Sequence, residues 1–292
     1  MAEHERLLIE TDWLADHLDD PDIRIVDMRG YVRSTPLGPG HEEAVYTGAP
    51  EDYAAGHIPG AVYLDWTKDI VDLSDPVPAQ IAPPDQFAAA MANAGIGDDT
   101  LVVAYDAHPA MQFATRLWWA LRYYGHDNAA ILDGGLPKWQ REGRPMTTDV
   151  SNYPPATFTP HPRPDLRANA ADVLAQLRSA TTLIDARDAA QYSGQKRRGN
   201  GRAGHIPGAI NVPREALIDP ATGTFLSEAQ LRQAFDAAGV PQQGQVIAYC
   251  NGGVAATSVL FALSLVGRDN LTNYDGSWNE WGERQDLPVE LS

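Results

Sequence analysis

The sequence predicts an α/β fold made of two tandem domains, each a mostly parallel β-sheet with helices on both faces. One observation behind this prediction is that short apolar runs resembling strands alternate with helix-like segments, as in parallel sheets. The other is an internal repeat, because the hexapeptide Gly-His-Ile-Pro-Gly-Ala at 56–61 recurs at 204–209. A chain of 292 residues is long enough for two cores of ordinary size.

Further landmarks recur in the same order. Tyr105-Asp106 corresponds to Tyr249-Cys250, and the segment 132–139, which ends in tryptophan, corresponds to 274–281, which also does. Because several motifs of different chemistry repeat at nearly one spacing, duplication of a whole domain explains them better than chance. We predict a first domain at 1–148, a proline-rich linker at 149–167 and a second domain at 168–292.

Each half is predicted to contain the same elements in order: a helix, a strand ending in Asp-x-Arg, a loop, the hexapeptide with a short strand, a helix, a buried strand, a helix and a final strand. The clearest helices are predicted at 12–18, 84–94, 170–177, 228–238 and 255–266, and the Asp-x-Arg strands at 23–29 and 182–187. The segment 30–52 is rich in glycine and proline; it is predicted to be a long loop, to which we assign no function. The segment 142–167 holds six prolines and is predicted to be extended at the surface.

Cys250 is the only cysteine, and it stands between a predicted buried strand and an apolar helix that ends at Gly267. Such a turn points main-chain NH groups inward at a helix N-terminus, where a thiolate is stabilised. The alternative is a buried structural cysteine, but the position in a glycine turn favours a nucleophile. The predicted active-site loop consists of Cys250, Asn251, Gly252, Gly253, Val254 and Ala255.

Composition excludes several classes of function. A net charge of −17 argues against nucleic acid and anionic membranes as partners, and no apolar window is long enough to cross a membrane. A single cysteine excludes an intramolecular disulfide and a thiolate-rich zinc site, which favours a reducing, cytoplasmic location. We predict no metal and no cofactor. In so acidic a chain the four cations within 195–202 are either a solvated loop or an attractor for an anionic substrate.

Other motifs leave alternatives open. The hexapeptide is interpreted as a structural turn because it occurs in both halves, and a Cys-His hydrolase using Cys250 and His205 is therefore disfavoured. Arg187 ends a strand in the cysteine half, so it either holds a carboxylate or sulfonate or pairs with a neighbouring aspartate. A phosphatase loop requires Cys-x5-Arg, and Ala256 occupies that arginine position.

Taken together, these residues resemble the tandem-domain rhodaneses, which comprise thiosulfate sulfurtransferase and 3-mercaptopyruvate sulfurtransferase. The likeness covers essentially the whole chain. It includes the two hexapeptides, the Tyr-Asp and Tyr-Cys positions, Thr115-Arg116-Leu117-Trp118-Trp119, Leu132-Asp133-Gly134-Gly135, and Tyr274-Asp275-Gly276-Ser277-Trp278 with Glu280-Trp281-Gly282.

The resemblance implies two rhodanese-like domains, the first catalytically silent because Asp106 replaces its nucleophile. It also implies that Cys250 accepts sulfur from a small anionic donor as a persulfide and passes it to a thiophilic acceptor such as cyanide, a thiol or a thioredoxin-like protein. Arg187 matches the family's substrate arginine and Asp65 an acidic residue of the first domain.

The donor is not decided by the resemblance. Asn251 and Gly252 replace the basic loop residues of animal thiosulfate enzymes, and Gly252 also replaces a serine of mercaptopyruvate enzymes. Mercaptopyruvate enzymes also have a second arginine near the position of Ser193 and a first-domain histidine near the position of Gln80. Both are altered in this sequence. We favour thiosulfate because the basic run, including Arg202, can replace the lost cations. The alternatives are 3-mercaptopyruvate as donor, or a persulfide carrier that binds sulfur without turnover.

Overall fold

Two five-stranded sheets form most of the protein, whose computed structural model describes residues 7–199 and 201–292. The first half contains strands β1 (Leu8–Ile9), β2 (Ile23–Asp27), β3 (Gly30–Gly38), β4 (His41–Gly48), β5 (Val62–Tyr63), β6 (Leu101–Tyr105) and β7 (Ala129–Leu132). Its helices are α1 (Thr11–Asp16), α2 (Pro50–Ala55), α3 (Pro84–Asn93), α4 (Gln112–Tyr123) and α5 (Gly135–Arg141).

The second half contains strands β8 (Arg167–Ala168), β9 (Thr182–Asp185), β10 (Arg197–Arg198), β11 (Ile210–Asn211), β12 (Val246–Tyr249) and β13 (Leu271–Tyr274). Its helices are α6 (Ala170–Gln176), α7 (Ala189–Tyr192), α8 (Glu228–Ala237), α9 (Ala256–Leu265) and α10 (Ser277–Trp281), with 3₁₀ turns at Pro164–Leu166 and Arg214–Leu217.

The two large sheets have the same topology. Their strand orders are β1-β7-β6-β2-β5 and β8-β13-β12-β9-β11, and every pairing in both sheets is parallel. Equivalent strands therefore occupy equivalent places, as expected for a duplicated domain. The predicted α/β fold with two tandem parallel sheets is confirmed.

Alternating side chains along the central strands are buried on both faces of each sheet. On β6, Val102 and Ala104 belong to one apolar cluster, whereas Val103 and Tyr105 belong to another on the opposite face. Because successive side chains of a strand point to opposite faces, two covered faces require a continuous apolar run. This double burial explains why the central strands lack alternating polarity in the sequence.

Helices α4 and α9 pack against each other across the boundary between the halves. The hydroxyl of Thr115 near the start of α4 lies 3.0 Å from that of Thr257 and 3.1 Å from that of Ser258, both near the start of α9. Farther along, Trp118 and Phe261 meet edge to face. Since each helix follows the loop that carries Asp106 or Cys250, this packing brings the silent loop and the cysteine loop side by side.

The prediction of a long loop at 30–52 is wrong. Strands β3 and β4 form an antiparallel hairpin, and β10 of the second half adds to it in parallel, giving a three-stranded sheet that joins both halves. Gly40, at the hairpin turn, has a φ of +65°, which glycine adopts without strain. The sequence concealed the hairpin because it is mostly solvent-exposed and rich in turn-forming residues, so it lacks the apolar alternation of a half-buried strand.

The proline-rich segment remains attached to the first half for most of its length. Residues 149–163 form neither helix nor strand, yet Phe158 is buried against Phe87, and the guanidinium of Arg24 lies 3.3 Å from the ring centre of Tyr153. Strand β8 then begins at Arg167. Among the residues whose structure is described, no helix combines the length and apolar character required to cross a bilayer.

Candidate active site

Cys250 lies directly beyond the carboxyl end of β12, and the loop after β13 holds it in place. The Cys250 NH donates to the Ser277 hydroxyl at 3.1 Å, and its carbonyl accepts from the Trp278 NH at 3.0 Å. Gly253 has a φ of +71°, and a Cβ there would lie 2.6 Å from the Asp275 carbonyl oxygen. Only glycine fits this position, so the sharp turn that the sequence predicts has a steric basis.

The loop after Cys250 contains a row of main-chain donors. Across 7–199 and 201–292, the NH groups of residues 251–255 donate to no protein acceptor. These groups precede or begin α9, whose N-terminus carries partial positive charge. Unpaired amides in such a nest bind anions, so the loop is suited to stabilise a negatively charged sulfur.

Cys250 borders a cavity of about 210 Å³. Cys250 is only 3% exposed to bulk solvent, and it belongs to the wall of this cavity. The second half contributes nine lining residues, namely Asp188, Gln191, Arg198, Arg214, Cys250, Asn251, Gly252, Val254 and Ala255. The first half contributes Gly30, Tyr31, Val32, Tyr46, Trp66, His108 and Gln112. Both halves thus build the site; from the first half the sequence had predicted only Asp65, which does not line this cavity.

Arg187 lies behind the loop and does not line this cavity. It is 2% exposed, its Nε and Nη2 bind both carboxylate oxygens of Asp185, and Nη2 also donates to the Gly204 carbonyl at 2.8 Å. In the first half, Arg29 binds Asp27 and the carbonyl of Gly56 in the same way. An arrangement shared with the half that lacks the cysteine indicates a structural pairing, the alternative that the sequence left open.

Replacing Arg187 or Arg29 by methionine is expected to lower the free energy of unfolding by similar amounts, about 3–5 kcal/mol each, because each change leaves a buried aspartate unpaired. Urea unfolding of both variants measures this. A destabilisation confined to one half would contradict a shared structural role. A raised donor KM in Arg187→Met, with stability unchanged, would return Arg187 to substrate binding.

Two other predicted substrate residues also lie away from the cavity. Arg202 uses its guanidinium to donate to four backbone carbonyls, those of Gly282, Leu287, Trp281 and Arg284, at 2.6–3.1 Å. The guanidinium therefore holds the C-terminal segment in place through these hydrogen bonds. This contact set contradicts its expected part in donor binding.

Asp65 is occupied within its own turn. Its carboxylate accepts from the NH and hydroxyl of Thr67 at 2.9 and 2.6 Å and pairs with Lys68 at 2.9 Å. Burial opposes ionisation of Asp65, but these hydrogen bonds outweigh it and lower the pKa of the carboxyl. The structure gives Asp65 a role in shaping the first half rather than a contact with the cavity.

The basic run is bound by the hairpin. Glu42 of β4 is buried and pairs with Lys196 at 2.7 Å and Arg198 at 3.0 Å. It also accepts from Gln191, whose own side-chain oxygen accepts from the Asn251 amide at 2.9 Å. Burial by itself raises the pKa of Glu42, but the two cations lower that pKa by a larger amount, so the net shift is downward. The hairpin thus contacts the active loop through Gln191, and only Arg198 of the run borders the cavity.

In the first half, the Asp106 carboxyl group occupies the equivalent loop and takes up its NH donors. It accepts hydrogen bonds from the NH groups of His108, Phe113 and Ala114 at 2.7–2.9 Å. Burial raises the pKa of Asp106 to about 7 despite these three donors. The three donors show that this loop geometry directs main-chain NH groups towards a single acceptor group.

Sequence reasoning missed His108 and Arg214. His108 lies two residues beyond Asp106, and its distance from Cys250 along the chain conceals that α4 and α9 pack together. Arg214 begins a 3₁₀ turn after β11 without any recognisable motif. No group of three or more potential metal ligands occurs among the residues that the structure describes.

The family model of the rhodanese-like domain matches this chain twice, at residues 10–142 and 169–284. A relative named 3-mercaptopyruvate sulfurtransferase, from Escherichia coli, is 36% identical over 285 residues and covers 97% of both chains. A sulfur carrier protein of Thermus thermophilus is 33% identical, covering 98% of this chain and 97% of the relative. A putative thiosulfate sulfurtransferase of Mycobacterium bovis is 36% identical, with coverages of 85% and 92%.

The crystal structure of the Escherichia coli protein SseA, described as a 3-mercaptopyruvate sulfotransferase with the rhodanese fold, superposes with a TM-score of 0.80. The two are 33% identical, and the match covers 93% of this chain and 98% of that one. The repeat, the equivalent sheets and the nest around Cys250 agree with these similarities, and the chain belongs to the rhodanese family as a tandem of two rhodanese-like domains.

Proposed function

We propose that this protein is a sulfurtransferase that moves a sulfane sulfur from thiosulfate to a thiophilic acceptor through a persulfide on Cys250. The observation that carries the proposal is the position of the cysteine. Cys250 borders a small cavity, and the loop that follows it offers NH groups at a helix N-terminus that have no partner among the described residues. This environment favours a reactive thiolate and afterwards an anionic persulfide.

In the first step, the Cys250 thiolate attacks the outer sulfur of thiosulfate. A bond forms between the two sulfurs, the sulfur–sulfur bond of thiosulfate breaks, and its electron pair leaves with sulfite. The terminal persulfide sulfur carries the negative charge, which the NH groups of residues 251–255 stabilise. These donors belong to a loop held by Ser277, Trp278 and Asn279, so little reorganisation accompanies the step.

In the second step, the acceptor attacks the terminal sulfur of the persulfide. With cyanide, a carbon–sulfur bond forms, the persulfide bond breaks, and the electron pair returns to Cys250 as thiolate while thiocyanate leaves. A thiol, either small or on a thioredoxin-like protein, reacts at the same sulfur and departs as a persulfide. Because the cycle requires Cys250 to return as a free thiolate, we propose that the protein works in a reducing compartment, the cytoplasm.

A second candidate donor is 3-mercaptopyruvate, favoured by the 36% identity to the Escherichia coli protein of that name. With this donor the thiolate again attacks sulfur, but a carbon–sulfur bond breaks, and its electron pair forms the enolate of pyruvate, which then takes up a proton. The basic run that favoured thiosulfate contributes only Arg198 to the cavity, while Arg214 supplies a second cation. Both donors are small anions and suit a cavity of about 210 Å³.

A third candidate is a carrier that binds persulfide and gives it only to a protein partner. The similarity to the Thermus thermophilus sulfur carrier protein favours it. Steady-state assays with cyanide and with dithiothreitol separate the two classes, because a carrier is loaded once and then stalls.

The decisive experiment is intact-protein mass spectrometry after incubation with thiosulfate or with 3-mercaptopyruvate. We expect one added sulfur atom, removed by cyanide, and the donor with the higher kcat/KM in parallel assays is the preferred substrate. Since Cys250 is the only cysteine, the adduct needs no peptide mapping for its assignment. Absence of the adduct with every sulfane donor would refute the proposed function.

A further inference from the structure

We propose that Arg214 and His108 together form an anion subsite, built across the two halves, that holds the oxyanion end of the sulfur donor. Both residues line the cavity that contains Cys250. The inference rests on the proposed function, because its ligand is the donor of that reaction. It names the residues that replace the cations missing from positions 251 and 252.

Arg214 has hydrogen-bonding capacity that the protein leaves unused. Its Nε is buried without a partner in the described part of the chain, and its Nη2 pairs with Glu215 at 2.7 Å. A buried donor of a charged group without an acceptor is costly, and native structures normally satisfy such groups. An oxygen of a bound sulfonate or carboxylate would supply the acceptor.

The two cavity arginines differ in the burial of their carboxylate partners and in the use of Nε. Arg198 binds Glu42, which it shares with Lys196 and whose side chain is 7% exposed, and the Nε of Arg198 donates to Glu42 at 3.2 Å. Arg214 pairs with Glu215, whose side chain is 49% exposed and therefore screened by solvent. Asp188 also borders the cavity, but one of its oxygens accepts the Gln191 NH at 2.9 Å as the cap of α7. Because the Nε of Arg214 has no acceptor among the described residues, Arg214 is the better placed of the two cations to donate to an incoming anion.

His108 supplies a neutral donor beside this cation. Its Nδ1 lies 3.1 Å from the Ala110 NH and must accept that hydrogen bond, so the proton of the neutral ring is on Nε2. Burial, and then the nearby charge of Arg214, lower the pKa of His108 to about 4, which keeps the ring neutral at pH 7. An Nε2–H and a guanidinium that line one cavity suit an oxyanion that has several acceptor oxygens.

This placement divides the donor between two sets of groups. The NH groups of residues 251–255 serve the transferred sulfur, whereas Arg214 and His108 serve the end that leaves as sulfite or as pyruvate enolate. Both thiosulfate and 3-mercaptopyruvate carry such an oxyanion end, but inorganic polysulfide does not. The subsite therefore distinguishes oxyanion donors, as a class, from polysulfide.

The test compares loading of Cys250 from different donors in the full chain. Arg214→Met is expected to raise the KM for thiosulfate and for 3-mercaptopyruvate about 10- to 100-fold, the loss of a charged hydrogen-bonded contact, with kcat much less affected. Persulfide formation from polysulfide, an anion without oxygen atoms, should fall much less than formation from the two oxyanion donors, and discharge of the persulfide by dithiothreitol should proceed as in the unsubstituted protein. Arg214→Lys should recover part of the donor affinity, because it restores the charge without the planar guanidinium.

Arg178→Met is the matched control, since it removes one exposed cation from the same half, far along the chain from the loop.

His108→Phe should also raise the KM for both donors, whereas His108→Gln, whose amide provides a donor near the Nε2 position, should raise it less. An unchanged KM for both oxyanion donors in Arg214→Met would overturn the inference, and so would an equal loss of polysulfide loading. If the unsubstituted protein forms no persulfide with any donor, the proposed function itself fails, which is a different result.

Discussion

Replacing Cys250 by serine is expected to abolish sulfur transfer, lowering kcat/KM by about 10⁴-fold or more. A serine hydroxyl is a far weaker nucleophile than a thiolate, and it cannot accept a sulfane sulfur as a persulfide. Residue 250 is the sole position in the chain with this chemistry, because the corresponding residue in the first half is Asp106. The measurements are thiocyanate production from thiosulfate and cyanide, and the intact mass after donor treatment.

The fold should tolerate this change, so lost activity can be attributed to chemistry. The contacts that position residue 250 come from its backbone NH and carbonyl, which serine retains. We expect an unchanged midpoint of thermal unfolding and no added sulfur in the mass spectrum. Residual turnover near the level of the unsubstituted protein would disprove the assignment of Cys250 as the sulfur acceptor.

The second large effect concerns stability, and Arg116→Met is expected to lower the free energy of unfolding by about 3–5 kcal/mol. Arg116 of α4 is 1% exposed, and its Nη1 binds the Asp275 carboxylate at 2.7 Å. Its Nη2 donates to the Ala79 carbonyl at 2.8 Å. Removing the guanidinium leaves a buried carboxylate without its closest cation.

Asp275 of the second half contacts residues of the first half, so loss of the Arg116–Asp275 ion pair is expected to reduce stability strongly. Its second oxygen accepts from the Ile81 NH at 2.9 Å and pairs with Arg167 at 3.2 Å. Arg116 also reaches the Gly253 carbonyl in the active loop at 3.3 Å. We therefore expect Arg116→Met to lose transfer activity as well, because the loop that carries Cys250 loses its hydrogen bond from Arg116 of the first half.

Urea unfolding measures the change, and Arg122→Met on the same helix is the control. The Arg122 side chain is 29% exposed and pairs with Asp127 at 3.4 Å, so its removal should cost less than about 1 kcal/mol. The double variant Arg116→Met with Asp275→Asn should be less destabilised than the sum of the two single variants, because both remove the same interaction. A change below 1 kcal/mol in Arg116→Met would contradict a strong coupling between the halves.

Local patterns in the sequence predicted the parts of this protein that depend on near neighbours. The helices at α3, α8 and α9 begin and end within about a residue of the predicted positions, because caps, prolines and apolar spacing act over one or two turns. The turn at Cys250 was also predictable, since glycine at Gly253 is required by its own backbone angle.

Contacts between distant segments were not predictable in this way. The hairpin at β3 and β4 pairs with β10, which lies about 150 residues later in the chain, and its exposed strands carry little periodic signal. The contacts of an arginine side chain were equally unpredictable, since no local motif distinguishes Arg202 from Arg214. In the structure Arg202 binds backbone carbonyls, whereas Arg214 borders the cavity.

The sequence by itself determined that this chain is a duplicated α/β protein with one cysteine in a nest of glycines, because repetition, periodicity and turn chemistry are recorded in adjacent residues. Only the tertiary structure decided which residues of the first half line the cavity, and that His108 and Arg214 lie there. The physical reason is that the packing of α4 against α9 sets which distant side chains meet, and this packing depends on the shapes of both halves at once.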